Sequence, residues 1–210
     1  MRRSMRMAAI AALSLLSLLA VAAPAGAQGD PRLAARFGGE ALARLQAVLD
    51  SARLADLPTE ALVQRALEGA SRRLPPERVI GAVSALAGRM RTSRTLLGPR
   101  ATEADLLAAA SALHAGIDQG TVSRLARSSG GTGVALPLIV LVDIVERGVP
   151  QDTAKRVILA LADPRIGDAD FQALRQSILG DIGSGAPAGA AAATRARGLL
   201  VAHGLAAPVP

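Results

Sequence analysis

The sequence predicts an all-α protein: about eight short helices in an irregular helical-hairpin array or an orthogonal bundle, following an N-terminal signal helix. Three observations predict it. Alanine (46) and leucine (31) together exceed a third of the 210 residues, and both rank high in helix propensity. Apolar residues recur three and four positions apart along most of the chain, the period of one helix face. Proline and glycine cut that pattern into short lengths, so that helix–turn–helix units return imperfectly every 17–20 residues. Cysteine, tryptophan and tyrosine are absent, and Phe37 and Phe171 are the only aromatics. These absences exclude disulfide staples, thiolate metal ligands, thiol nucleophiles and aromatic platforms for bases or sugars.

The first segment reads as an export address. Arg2, Arg3 and Arg6 precede a charge-free apolar run of 16 residues, 8–23. Pro24 and the small residues Ala25-Gly26-Ala27 follow, the layout of a cleavable signal peptide over 1–27. The run is shorter than the ~20 residues of a comfortable membrane span. Cleavage would leave 21 basic against 17 acidic residues, a charge of +4 in place of +7. Arginine outnumbers lysine 23 to 1, which fits a GC-rich coding bias.

Residues 28–38 are small or polar without clear period and read as a flexible leader. The remainder, 39–205, is expected to be a single all-α domain. A linker at 128–133 separates candidate subdomains 39–127 and 134–205, and 206–210 is a tail. Leu42, Leu45 and Leu49 mark the first helix, 40–54. Leu57-Pro58-Thr59-Glu60 restarts the chain, with proline or its neighbour in the first turn and Glu60 at the positive end of the dipole. Leu62, Ala66, Leu67 and Ala70 form the next apolar stripe. The device returns 17 residues on as Leu74-Pro75-Pro76-Glu77, ahead of Val79, Val83, Leu86 and Met90. Thr102 caps the following helix with Asp105 at the capping-box position, before Leu106, Ala109, Ala110 and Leu113. Asp118 caps another, with Val122 and Leu125 inside. Segment 134–145 is almost wholly aliphatic. Its composition also suits a buried strand, but 12 residues with no partner strand favour a central helix. Asp143 then lies in or beside the core as a candidate buried carboxylate, and an arginine is its expected partner. Pro150, Asp168 and Pro187 open the last three helices.

Two turns share a shape: Ala115-Gly116-Ile117-Asp118 and Arg147-Gly148-Val149-Pro150. Glycine stops a helix in the left-handed region, an apolar residue tucks back, and Asp or Pro starts the next helix. The first continues as Gln119-Gly120-Thr121-Val122-Ser123-Arg124-Leu125. Residues 113–127 thus resemble the turn and recognition helix of phage-repressor-type helix-turn-helix domains. The resemblance implies Gln119, Thr121, Ser123 and Arg124 facing DNA. Against it stand the export signal and the acids Glu103, Asp105 and Asp118 beside Arg124 and Arg127.

Charge supplies the other candidate site. Residues 65–100 hold eight arginines (Arg65, Arg72, Arg73, Arg78, Arg89, Arg91, Arg94 and Arg100) against Glu68 and Glu77. This local +6 suits anionic lipid heads, polyanionic envelope polymers or an acidic protein, or it simply solvates one helix hairpin. His114 and His203 lie 89 residues apart without metal-ligand spacing. Ser128-Ser129-Gly130-Gly131-Thr132-Gly133 lacks the lysine of a phosphate loop. No cofactor, metal or catalytic set is expected. The leading expectation is an exported, non-enzymatic helical interaction protein of the envelope or periplasm, with a protein or anionic partner. One alternative is an exported enzyme using the helix-end carboxylate of Glu68, Asp143 or Glu146. A second is a helix-turn-helix DNA binder, if the chain stays in the cytoplasm.

Overall fold

A computed structural model describes residues 29–130 and 133–205. The expected signal peptide, residues 131–132 of the expected linker, and the 206–210 tail lie outside the described residues. Among the described residues the chain is all helical, with no strand. Ten helices follow in order: α1 (Pro31–Ala34), α2 (Gly39–Leu54), α3 (Glu60–Ser71), α4 (Pro76–Leu97), α5 (Glu103–His114), α6 (Gln119–Ser128), α7 (Ala135–Glu146), α8 (Gln151–Ala160), α9 (Asp168–Gly183) and α10 (Ala188–Ala202).

Among the described residues one turn design recurs six times. At each, a backbone N–H reaches the carbonyl five residues earlier: Leu57 to Ala52, Leu74 to Gly69, Ile117 to Ala112, Val149 to Ile144, Ala186 to Asp181 and Leu205 to Leu200, at 2.8–3.0 Å. These bonds satisfy carbonyls that a helix end leaves open. The preceding residue has positive φ each time: Asp56, Arg73, Gly116, Gly148, Gly185 and Gly204. The proline restarts at 58 and 75 and the glycine turns at 116 and 148 are therefore one motif. At its first two occurrences a non-glycine residue occupies the left-handed position.

The expected flexible leader is corrected. Asp30 caps α1 by accepting from the Arg32 N–H at 2.9 Å, and Leu33 and Phe37 are buried in the core. Arg32 also pairs with Glu60 at 2.7 Å, tying α1 to the start of α3. The apolar pair at 33 and 37, four residues apart, supplies enough surface to dock a single helical turn.

Two hydrophobic cores result. The first gathers Leu45, Leu49, Leu62, Val83, Met90 and Leu106 with α1. The second gathers Val122, Leu125, Leu138, Leu141, Ile158, Phe171 and Ile178. They meet along α5, which gives Leu106 and Ala110 to one and Ala108, Ala109 and Ala112 to the other. The division runs through this alanine-rich helix, not along 128–133. Asp105, 5% exposed, strengthens the junction. Its Oδ2 accepts from the Thr102 N–H (3.0 Å) and hydroxyl (2.7 Å). Its Oδ1 accepts from the Val134 and Ala135 N–H groups (2.7 and 2.9 Å) at the start of α7.

Segment 134–145 is a helix, α7, packed on α5, α8 and α9. Asp143 is half-buried on it and pairs with Arg175 of α9. At the α3–α4 crossing, a methyl group added to Gly69 would meet the Val79 side chain at 2.7 Å, which explains glycine inside a helix.

Candidate functional site

The eight arginines of 65–100 do not form one basic face. Arg65 and Arg72 both pair with Glu68, at 2.9 and 2.7 Å. Arg94 is a clamp: it donates to the carbonyls of Pro99 (3.2 Å), Ala101 (3.0 Å) and Asp56 (2.9 Å). It thereby ties the α2–α3 turn to the α4–α5 connection. Arg91 crosses to α2 and donates to the Ser51 hydroxyl at 2.8 Å. Arg89 buries its Nε. Arg78 and Arg89, three turns apart, share one side of α4, and Arg91 and Arg94 are turned from them by about 140° or more. Arg73 and Arg78 project at the α3–α4 turn, where residues 71–78 are all exposed. Arg100 is exposed in the α4–α5 connection.

The three helix-end carboxylates are not assembled. Glu68 lies on α3 between its two arginines, and Asp143 is held by Arg175. Glu146, one turn beyond Asp143, is exposed. Among the described residues no cluster of His, Asp or Glu could hold a metal ion, and no helix is long and apolar enough to cross a membrane.

The segment resembling a recognition helix has the expected turn, with Gly116 at positive φ and Ile117 buried. One matching residue is corrected: Thr121 is fully buried and faces the cap, not a ligand. Its N–H and hydroxyl each donate to Asp118, at 2.8 Å. With Lys155 nearby, those bonds hold the Asp118 carboxyl below its ordinary value. Gln119 and Arg124 are exposed and Ser123 is half-buried. Helix α8 lies across the turn: Gln151 donates to the Gly116 carbonyl at 3.0 Å, and Lys155 pairs with Asp118 at 3.5 Å. This is how α5–α6 packs on α8 within the domain.

Two recesses lie among the described residues. One, about 350 Å³, lies between the end of α6, the start of α7 and the α8–α9 connection, beside Ser129, Asp163 and Phe171. Leu125, Leu161 and Phe171 at its base are buried. Arg165 binds both Asp163 oxygens and holds that carboxyl at about 2. The other recess, about 260 Å³, is an open groove between α2 and α4, lined by Ala47, Val48, Ser51, Ser84, Ala87 and Arg91. Small side chains let a partner approach the backbone there, and the Arg91–Ser51 bond crosses one end. Ala47, Ser51 and Leu54 fall at i, i+4 and i+7 on α2, so the exposed Leu54 extends the same face.

The chain matches no protein-family model, no curated protein and no solved structure. The sequence reading missed the α2–α4 groove. The available signal was the run of small residues at i, i+4 on 47–51 and i, i+3 on 84–87, which had no reason to stand out in an alanine-rich chain.

Proposed function

We propose that this chain is an exported, non-enzymatic helical interaction protein of the cell envelope or periplasm. It binds a protein or an anionic envelope component. The single observation that supports the reading is the open α2–α4 groove, with small residues along its floor, a guanidinium at its wall and Leu54 on its rim. That form suits an extended or helical partner segment with apolar anchors and an acidic group for Arg91. The layout of residues 1–27 supports export, and the helices would then form an irregular hairpin array or bundle outside the cytoplasm.

The test pairs location with contact. Cell fractionation and N-terminal sequencing are expected to find a mature form beginning near Gln28 outside the cytoplasm. A photo-crosslinker at Ser84 is expected to give a discrete adduct in intact cells, lost when Ala47→Trp fills the groove. Retention in the cytoplasm would end the export part of the reading. Adducts indifferent to Ala47→Trp would end the groove part.

A further inference from the structure

The α3–α4 turn departs from most of its five sister turns in two ways. The apolar residue after the left-handed position is buried at Leu57 (6% exposed), Ile117 and Val149 (2% each) and half-buried at Ala186 and Leu205, but Leu74 is 40% exposed. The left-handed position itself holds an arginine, Arg73 at φ 55°, where four of the six have glycine. An arginine there carries a backbone cost that glycine would remove. So the turn keeps a cation and a bare leucine side by side at a position where stability alone favours neither.

The surroundings are cationic. Arg65, Arg72, Arg73 and Arg78 lie on or next to the turn, and Arg44 of α2 is brought to it by a 2.8 Å pair with Glu77. Against these five stand Glu68, shared by Arg65 and Arg72, and Glu77. The local excess is three positive charges around an exposed leucine, on a turn stiffened by Pro75 and Pro76.

We infer that this turn is a docking tip for an anionic lipid surface, with Arg73 and Arg78 meeting headgroup phosphates and Leu74 entering the boundary between headgroups and acyl chains. Charge complementarity selects the surface, and the exposed leucine between the arginines selects lipid over a soluble polyanion. Arginine stems can lie along the apolar boundary while their guanidinium groups reach phosphate. The inference deepens the proposed function by naming one anionic partner, and it relies on that reading only for access to the membrane.

Vesicle co-sedimentation tests it, using the protein in the form in which it accumulates in cells. Wild type is expected to bind vesicles rich in phosphatidylglycerol, to bind phosphatidylcholine vesicles far less, and to release at high salt. Arg73→Glu and Arg78→Glu are each expected to lower partitioning roughly thirtyfold, taking about fivefold per unit charge. Leu74→Ser is expected to lower it severalfold, and Arg156→Glu on α8 to leave it unchanged. All four positions are exposed, and circular dichroism checks each fold. Equal binding to both vesicle types, or indifference to the two charge reversals, overturns the inference. Loss with Arg78→Glu but none with Leu74→Ser also overturns it, because the leucine then takes no part and the contact is one of charge alone. None of these outcomes touches the export and groove experiments.

Discussion

Asp105 accepts four hydrogen bonds, two from Thr102 and two from the first N–H groups of α7. Burial alone would raise its carboxyl. The bonds from Thr102, Val134 and Ala135 outweigh that and hold it below the ordinary range. Asp105→Asn keeps the shape and one acceptor oxygen but puts an NH2 group where two of the four donors need an acceptor. We expect it to cost about 2–3 kcal/mol, the scale of charge-assisted bonds lost in a buried setting. Urea unfolding followed by circular dichroism measures this, because the chain lacks Trp and Tyr. The pH dependence follows from the same geometry. A carboxyl lowered in the folded state binds fewer protons than its unfolded counterpart, so its contribution is complete above the unfolded value of about 4. It is lost as pH falls from there through the folded value. Wild type should therefore lose stability on acidification more steeply than Asp105→Asn, and parallel acid limbs would remove Asp105 from this role. Arg94 acts similarly through three carbonyls, and Arg94→Ala is expected to cost about 2 kcal/mol by leaving them short of donors.

At the scale of the helical element, six equivalent turns allow an internal comparison. A side chain added at Gly148 or Gly185 meets nothing within 4 Å, so alanine there changes backbone energy alone. Each substitution is expected to destabilise by about 1 kcal/mol. The reverse holds where glycine is missing: Arg73→Gly should stabilise by about 1 kcal/mol. Asp56→Gly should do so by less, since aspartate tolerates the left-handed region better. Thermal melts of the four variants settle the signs. If Arg73→Gly melts higher yet leaves lipid vesicles, the arginine is retained for binding at the expense of the turn. The comparison also explains what the sequence could show. Gly116 and Gly148 announce their turns, and Pro58 and Pro75 announce theirs, but Asp56 and Arg73 hide that all four are alike. Helix phases, the Thr102 cap and an arginine partner for Asp143 were readable because they depend on local spacing or on a simple charge requirement. The Arg94 clamp was not, because its acceptors are main-chain carbonyls, which every residue carries. The second role of Asp105 was hidden by its separation of 29 positions from Val134. The docking of α1 was readable in principle from Leu33 and Phe37, but the polar residues around them masked it.

The whole molecule depends on how its two cores communicate. Neither owns α5: Leu106 and Ala110 face one, while Ala108, Ala109 and Ala112 face the other. Unfolding either core strips one side of this helix and exposes alanine surface that is too small to hold it in place alone. Asp105 adds a polar tie between α5 and α7. Near neutral pH both cores should therefore unfold in a single transition. Methyl resonances of Leu45 and Leu49 on one side, and of Leu138 and Leu141 on the other, should vanish at the same urea concentration. Asp105→Ala removes the tie, keeps the α5 packing and should split the midpoints. α7 loses two capped N–H groups, while α2, α3 and α4 keep their own contacts, so the second core should melt first. Coincident midpoints in both proteins would mean that apolar packing along α5 carries the coupling unaided. Separate midpoints in wild type would mean that α5 is a boundary between two independent folding units.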